Sequence, residues 1–192
     1  MNQKPVYNYI MSLQKRKTLL YTIVVMVLMD FISPAMAKGL ETELVRIDGV
    51  KQPVSDYIGK GKWVVINVWS PTCSACVKEL PVIEAFRKKH IDDVQLIGLT
   101  IDFPSFGYGK LDIINSFLEK TPIHYPLFLA DIESASDVIG NWLVAIPLIA
   151  IIHPDGRVLA RWPGYVDIGE IEDFMQNYKK YTPEDGVSVD FK

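Results

Sequence analysis

Cysteine is almost absent from this chain, with two in 192 residues. That is too few for a disulfide framework, and a domain of this length buries enough core to do without one. The pair is also spaced C-x-x-C, a ring so small that it restrains the unfolded chain little, so chemistry suits it better than scaffolding. Histidine is scarce as well. His90, His124 and His153 are scattered, and with a single cysteine pair they do not assemble the four-ligand pattern of a structural zinc site. A basic surplus is missing too: the net charge is -3, and residues 1–37 hold four of the 20 Lys and Arg but one of the 23 Asp and Glu, leaving 16 against 22 for the remainder. An acidic body does not neutralise phosphates, so no nucleic acid partner is expected. There is no internal repeat and no low-complexity segment.

What is present is a 49% hydrophobic, 22% charged chain with the balance of one globular domain and an N-terminal appendage. The appendage, residues 1–37, carries a basic cluster at Lys15, Arg16 and Lys17, an apolar stretch from Leu19 to Met29, and Ser33-Pro34-Ala35-Met36-Ala37. That order predicts a secretory signal peptide cleaved after Ala37. An uncleaved membrane anchor is the alternative, although Asp30 and Pro34 interrupt a run that needs about 20 apolar residues to span a bilayer. Either reading places the domain beyond a membrane, in the periplasm or on the outer face of the inner membrane, where disulfides persist. Contact with the membrane is expected only through this segment if it stays attached.

The domain is expected over residues 38–181, followed by a polar tail, 182–192, that should fray. Leu44, Ile47 and Val50 flank Asp48-Gly49, a pair suited to a type I′ hairpin. Trp63–Trp69 is apolar except for Asn67, as in a central strand buried on both faces. From Cys73 the period changes: Val77, Leu80, Ile83 and Phe86 share one helix face that ends at Lys88, Lys89 and His90, cations that suit a helix C-terminus. Pro81 lies inside that helix and should kink it. A second strand spans Val94–Ile101, a helix follows around Leu111–Leu118, and Tyr125–Ala130 makes a third strand. Ser134–Leu143 reads as a helix with Val138, Ile139 and Trp142 inward. Leu148–Ile152 and Arg157–Trp162 form a hairpin across His153-Pro154-Asp155-Gly156, and Asp167-x-x-Glu170 resembles a capping box opening a last helix to about Tyr181. Strands alternating with helices and closed by a hairpin predict a three-layer α/β domain with a central mixed sheet.

Cys73 and Cys76 stand where the Trp63–Trp69 strand becomes a helix. A thiolate attacks a disulfide and a thiol does not, and a helix N-terminus lowers a cysteine's pKa below its usual value of about 8.5. Cys73 is then the nucleophile and Cys76, one turn further in, the resolving cysteine. Glu79 has two readings: an acceptor for the proton that Cys76 sheds, or an ordinary carboxylate favoured by the helix dipole. Against redox chemistry stand a metal site, an inert buried pair, and a peroxidatic cysteine. The last would follow P-x-x-x-[ST]-x-x-C, in which Ser70 fits but Ile66 holds the proline position. The turn Ser70-Pro71-Thr72 argues for an exposed site.

The segment VVINVWSPTCSACVKELP resembles the active-site region of thioredoxin-fold proteins of the TlpA/ResA/DsbE type, usually N-F-W-A-x-W-C-x-x-C-x-x-E-x-P. The resemblance extends from about Leu44 to Tyr178 and includes the inserted helix and strand near residues 110–130 and the I-P-L-I-A-I-I-x-x-D-G-R-V hairpin. It implies a thioredoxin-like fold. It places Glu79 on the family's buried active-site glutamate, Pro147 on its cis-proline, and Ile146 on the residue whose backbone pairs with substrate. Asn67 sits where cytosolic thioredoxins carry a buried aspartate. Three departures fall at positions that tune potential and substrate fit: Thr72 replaces a tryptophan, Ser74-Ala75 replaces Pro-Pro or Glu-Pro, and Ile146 is bulkier than the usual threonine. Trp69 is a candidate substrate platform, with core packing as its plainer reading.

The function expected is an extracytoplasmic thiol-disulfide oxidoreductase, and no histidine lies between the cysteines to favour a strong oxidant. The resemblance implies protein disulfide substrates such as apocytochrome c or copper-site assembly proteins, and electrons from a membrane thiol donor. No cofactor is expected beyond the Cys73–Cys76 pair. Two other classes are a dithiol metallochaperone-like module for Cu(I), which thiolates select, and an adaptor whose cysteines no longer turn over.

Overall fold

The computed structural model describes residues 42–181 and 189–191. The leader read over residues 1–37 lies outside them. The run Trp63–Trp69 becomes β3, the middle of an eight-stranded sheet in the order β2-β1-β5-β4-β3-β6-β7-β8. The strands are β1 (Glu43–Arg46), β2 (Lys51–Pro53), β3, β4 (Val94–Thr100), β5 (Leu127–Leu129), β6 (Leu148–Ile152), β7 (Val158–Pro163) and β8 (Val189–Asp190). β3 pairs parallel to β4 from Trp63↔Val94 to Trp69↔Thr100, and antiparallel to β6 from Val64↔Ile152 to Val68↔Leu148. The inserted strand β5 extends the sheet parallel to β4 and takes β1 antiparallel on its far side.

A strand with partners on both edges and helices on both faces has no polar side, which is why β3 shows no apolar–polar alternation. Val64, Ile66 and Val68 enter one core layer with Val54, Val138 and Ile139. Val65 and Trp69 enter the other with Leu80, Ile83 and Phe86 of α1 (Ser74–Lys89) and Ile171 and Phe174 of α4 (Ile168–Tyr181). The inserted α2 (Leu111–Leu118) packs Phe117 and Leu118 on that second layer. α3 (Ile132–Ile139) covers the first. The expected mixed-sheet α/β fold with its inserted helix and strand is present, and α1 runs through Pro81 as one helix. No helix among the described residues is long and apolar enough to cross a membrane.

Four local expectations change. Gly49 alone has positive φ in the first hairpin, and the Gly49 N–H bonds the Arg46 carbonyl, so the connection is a tight turn closed by a left-handed glycine and not type I′. α3 starts at Ile132 because Asp131 and Ser134 cap it reciprocally, each side chain taking the other's backbone N–H. It stops at Gly140, whose φ of 70° ends the helix, so Trp142 lies beyond it and is 59% exposed. The chain end does not fray over residues 189–191: β8 pairs parallel to β7, and Phe191 stacks on Trp162 at 4.3 Å and 3°.

Candidate active site

β3 ends at Trp69 and α1 begins at Ser74, so four residues make the turn between them. Cys73 is the N-cap of α1: its N–H bonds the Ser70 carbonyl (3.1 Å), its carbonyl accepts from Val77 (3.0 Å), and its Sγ accepts from the Cys76 N–H (3.2 Å). Sulfur thereby takes the place of the oxygen that usually caps a helix, facing backbone donors left unpaired in the first turn. Cys73 and Cys76 are joined in a disulfide. Cys76 is 1% exposed and Cys73 4%, so the turn exposes Thr72 and Ser74 but not the first sulfur, which the bond to Cys76 tucks over the helix end.

One helical turn beyond Cys76, Glu79 is buried in the same layer. One carboxylate oxygen accepts from the Val166 N–H (3.2 Å), and the other finds no hydrogen-bond partner among the described residues. Burial pushes its pKa above the ordinary carboxylate value, with the Val166 hydrogen bond opposing. Val166 lies two residues after Gly164, whose N–H bonds the Pro147 carbonyl (2.7 Å). The Ile146–Pro147 bond is cis, Pro147 directly precedes β6, and the Val68↔Leu148 pairing sets it beside the end of β3. The loop 163–166 thus ties α1 to the proline beside the end of β3. No sequence signal marks it, because its contribution is two backbone donors.

The structure brings Cys73, Cys76, Glu79, Ile146 and Pro147 to one end of the sheet, with Ser74 and Ala75 exposed on the first turn of α1. Ile146 is half-buried and packs on both core layers. Trp69 is a correction. It is fully buried and tilted against Phe117 at 5.5 Å, so it packs in the core and offers no surface to a substrate in this structure. Being the last residue of a strand covered on both faces, it points into the core. Below it, the Asn67 amide donates to the Tyr125 hydroxyl (3.2 Å), whose pKa burial drives far above a phenol's usual value, with the Asn67 bond opposing and the Glu84 and Glu79 charges adding to the rise.

Residues 36–161 match the model of the AhpC/TSA family. The chain belongs to that family. Within and around this family segment, it is 28% identical over 133 residues to the thiol-disulfide oxidoreductase ResA of Bacillus subtilis, covering 69% of each chain. It is 26% identical over 140 residues to ResA of Bacillus cereus, covering 71% of this chain and 72% of the relative. Among solved structures it resembles an exposed lipoprotein thioredoxin of Streptococcus pneumoniae at 24% identity, TM-score 0.58, covering 72% of this chain and 97% of the other. It also resembles a thiol:disulfide interchange protein DsbE of Chlorobium tepidum at 19% identity, TM-score 0.57, covering 74% and 94%. These structures establish the thioredoxin-like fold. With the cysteine pair joined at the head of α1, this AhpC/TSA-family chain is a thiol-disulfide oxidoreductase, similar in sequence to ResA.

Proposed function

We propose that this AhpC/TSA-family protein is an extracytoplasmic reductase of protein disulfides. In the reduced protein the Cys73 thiolate attacks one sulfur of a substrate disulfide, forming a Cys73–substrate mixed disulfide and releasing one substrate thiolate. Cys76 gives up its proton to Glu79 and attacks Cys73 Sγ, releasing the second substrate thiolate. Two electrons pass to the substrate and the Cys73–Cys76 disulfide forms. A dithiol donor, expected in the membrane, then restores the pair.

The observation that carries this reading is the disulfide at the head of α1, with Cys73 Sγ facing the Cys76 N–H and Glu79 one turn behind. A helix N-terminus favours the thiolate at Cys73, and burial makes the Glu79 carboxylate a stronger base, able to accept the Cys76 proton and later return it. The reducing direction is supported by Ser74-Ala75, which place no imidazole or cation between the sulfurs. Extracytoplasmic placement is supported by the basic, apolar and small-residue order of residues 1–37 and by the likeness to a protein described as an exposed lipoprotein. Ile146 and Pro147 offer the edge along which a substrate segment lies, and Ser74 and Ala75 the surface beside Cys73. Apocytochrome c and copper-site assembly proteins fit as substrates because each must present reduced cysteines.

A Cys76→Ala variant cannot resolve the mixed disulfide and is expected to accumulate covalent adducts in cells that dithiothreitol releases. Their absence sinks the reading, and stoichiometric Cu(I) binding without insulin reduction would replace it with the metal-carrying one. The reduction potential decides direction: a value near thioredoxin's, about -270 mV, fits a reductase, and one near -120 mV an oxidant.

A further inference from the structure

The residue before the first cysteine is tied to the loop between β4 and α2. Thr72 is exposed, yet its Oγ1 donates to the Phe103 carbonyl (2.8 Å) and lies 3.0 Å from Ser70 Oγ. Phe103 is the third residue of the connection from β4 to α2. That connection is braced within itself: the Asp102 N–H bonds the Gly107 carbonyl (2.9 Å), and Ile101 bridges Tyr108. The Ser105 hydroxyl (2.6 Å) and the Lys110 ammonium (2.9 Å) both hold the Asp102 carboxylate. Phe106 takes a left-handed φ of 57°, places its ring edge-on to Phe103 and accepts from the Ile132 N–H. Gly109 approaches the Thr100 carbonyl so closely that a Cβ would lie 2.5 Å from it. These bonds give the loop a defined shape. The Thr72 hydroxyl is the side-chain bond that fastens it to the cysteine turn, and Pro104, Ser105 and Tyr108 of the loop are exposed beside that turn.

We propose that Thr72 is a positioning residue that docks the 102–109 loop onto the Cys73 turn, making the loop a wall against which the polypeptide flanking a substrate disulfide packs. The inference rests on the disulfide-reductase reading. It assigns the protein-substrate preference to a loop on the other side of β3 from the Ile146–Pro147 edge, fastened by the Thr72 hydroxyl. The occupant is a polypeptide with apolar residues beside its cystine, since the loop presents proline and aromatic surface and its charged groups, Asp102 and Lys110, already satisfy one another.

The test compares the reduced wild-type protein with Thr72→Val, which keeps the shape and loses the donor, and Thr72→Ser, which keeps the donor. With insulin as substrate, Thr72→Val is expected to raise KM roughly two- to tenfold, the worth of one hydrogen bond, with kcat held within about twofold, and Thr72→Ser to restore KM. Reduction of a small aromatic disulfide, which has no flanking chain to dock, is expected to change less than about twofold. Amide exchange over residues 102–107 should quicken in Thr72→Val alone. An unchanged insulin KM, or equal losses on both substrates, overturns the loop inference while leaving the reductase reading in place. A wild-type protein that reduces neither substrate overturns both.

Discussion

At the scale of single residues, the site turns on a carboxyl that is buried and half-partnered. Between its ordinary pKa and its raised one, native Glu79 holds a proton that the unfolded chain has released. Native protein therefore binds more protons than unfolded protein in that window, and stability falls as pH rises through it. Glu79→Gln is uncharged throughout, so this part of the slope should vanish: relative to wild type, the variant is expected to gain stability in urea unfolding as pH rises above the ordinary carboxylate value. Its disulfide exchange should slow by about tenfold or more, because the proton acceptor for Cys76 is gone, and its pH–rate profile should lose one limb. Parallel stability curves and an unshifted profile would make Glu79 a packing residue. The position of Glu79 was legible from the Cys76-x-x-Glu79 spacing, which puts both on adjoining faces of one helix. Its partner was not, since the Val166 N–H comes from 87 residues away and a backbone donor leaves no mark on sequence. Trp69 shows the opposite case: a large aromatic next to a reactive turn is a candidate for contact, but core packing, its plainer reading, holds because the strand's two covered faces bury it.

At the scale of elements, the strands and helices whose signals are local were legible. β3, the β6–β7 hairpin and α1 follow from apolar runs, a Pro-Asp-Gly turn and a 3.6 period. α3 was shifted because its cap pairs Asp131 with Ser134, and serine does not stand out at the third helical position as glutamate does in the usual capping box. The close fit of β4 to the layer beneath the cysteines was not legible either. Gly98 reads as one more small residue in an apolar run, but it pairs with Asn67, and a Cβ there would run into the Leu127 side chain and lie 3.0 Å from the Tyr125 ring and 3.3 Å from Trp69 Nε1. Gly98→Ala is therefore expected to destabilise the fold by about 1–3 kcal/mol, as overpacking of a filled core does. Urea unfolding measures it, and trimming Leu127 to Val in the same chain should recover part of the loss because that side chain is the nearest obstacle. A Gly98→Ala midpoint equal to wild type would show that the layer gives way freely there.

At the scale of the whole described domain, the sheet is closed by residues far apart in sequence, and this is where sequence reading fell furthest short. Arg161 and Trp162 look like the end of a hairpin, and Val189 and Phe191 are isolated apolar residues in a polar tail. In the fold Arg161 is 5% exposed, its guanidinium donating to Asp190 (2.6 Å) and to the Ile139 carbonyl (3.0 Å), while Asn141 holds the other Asp190 oxygen (3.2 Å). The Phe191 N–H bonds the Arg161 carbonyl (2.9 Å), and its ring lies flat on Trp162 and edge-on to Phe174 of α4. β8 therefore joins β7, the end of α3 and the face of α4, a role set by long-range partners. Because Phe191 is half-buried and stacked, Phe191→Ala should cost about 1–2 kcal/mol, part from lost apolar area and part from the ring pair. The loss is expected as a lower urea midpoint and faster amide exchange along β7, with insulin reduction retained because the cysteine turn lies on other elements. An unchanged midpoint would mean that β8 is not held against β7 in solution, and Trp162 would then quench more readily with added iodide in wild type than its 6% exposure allows.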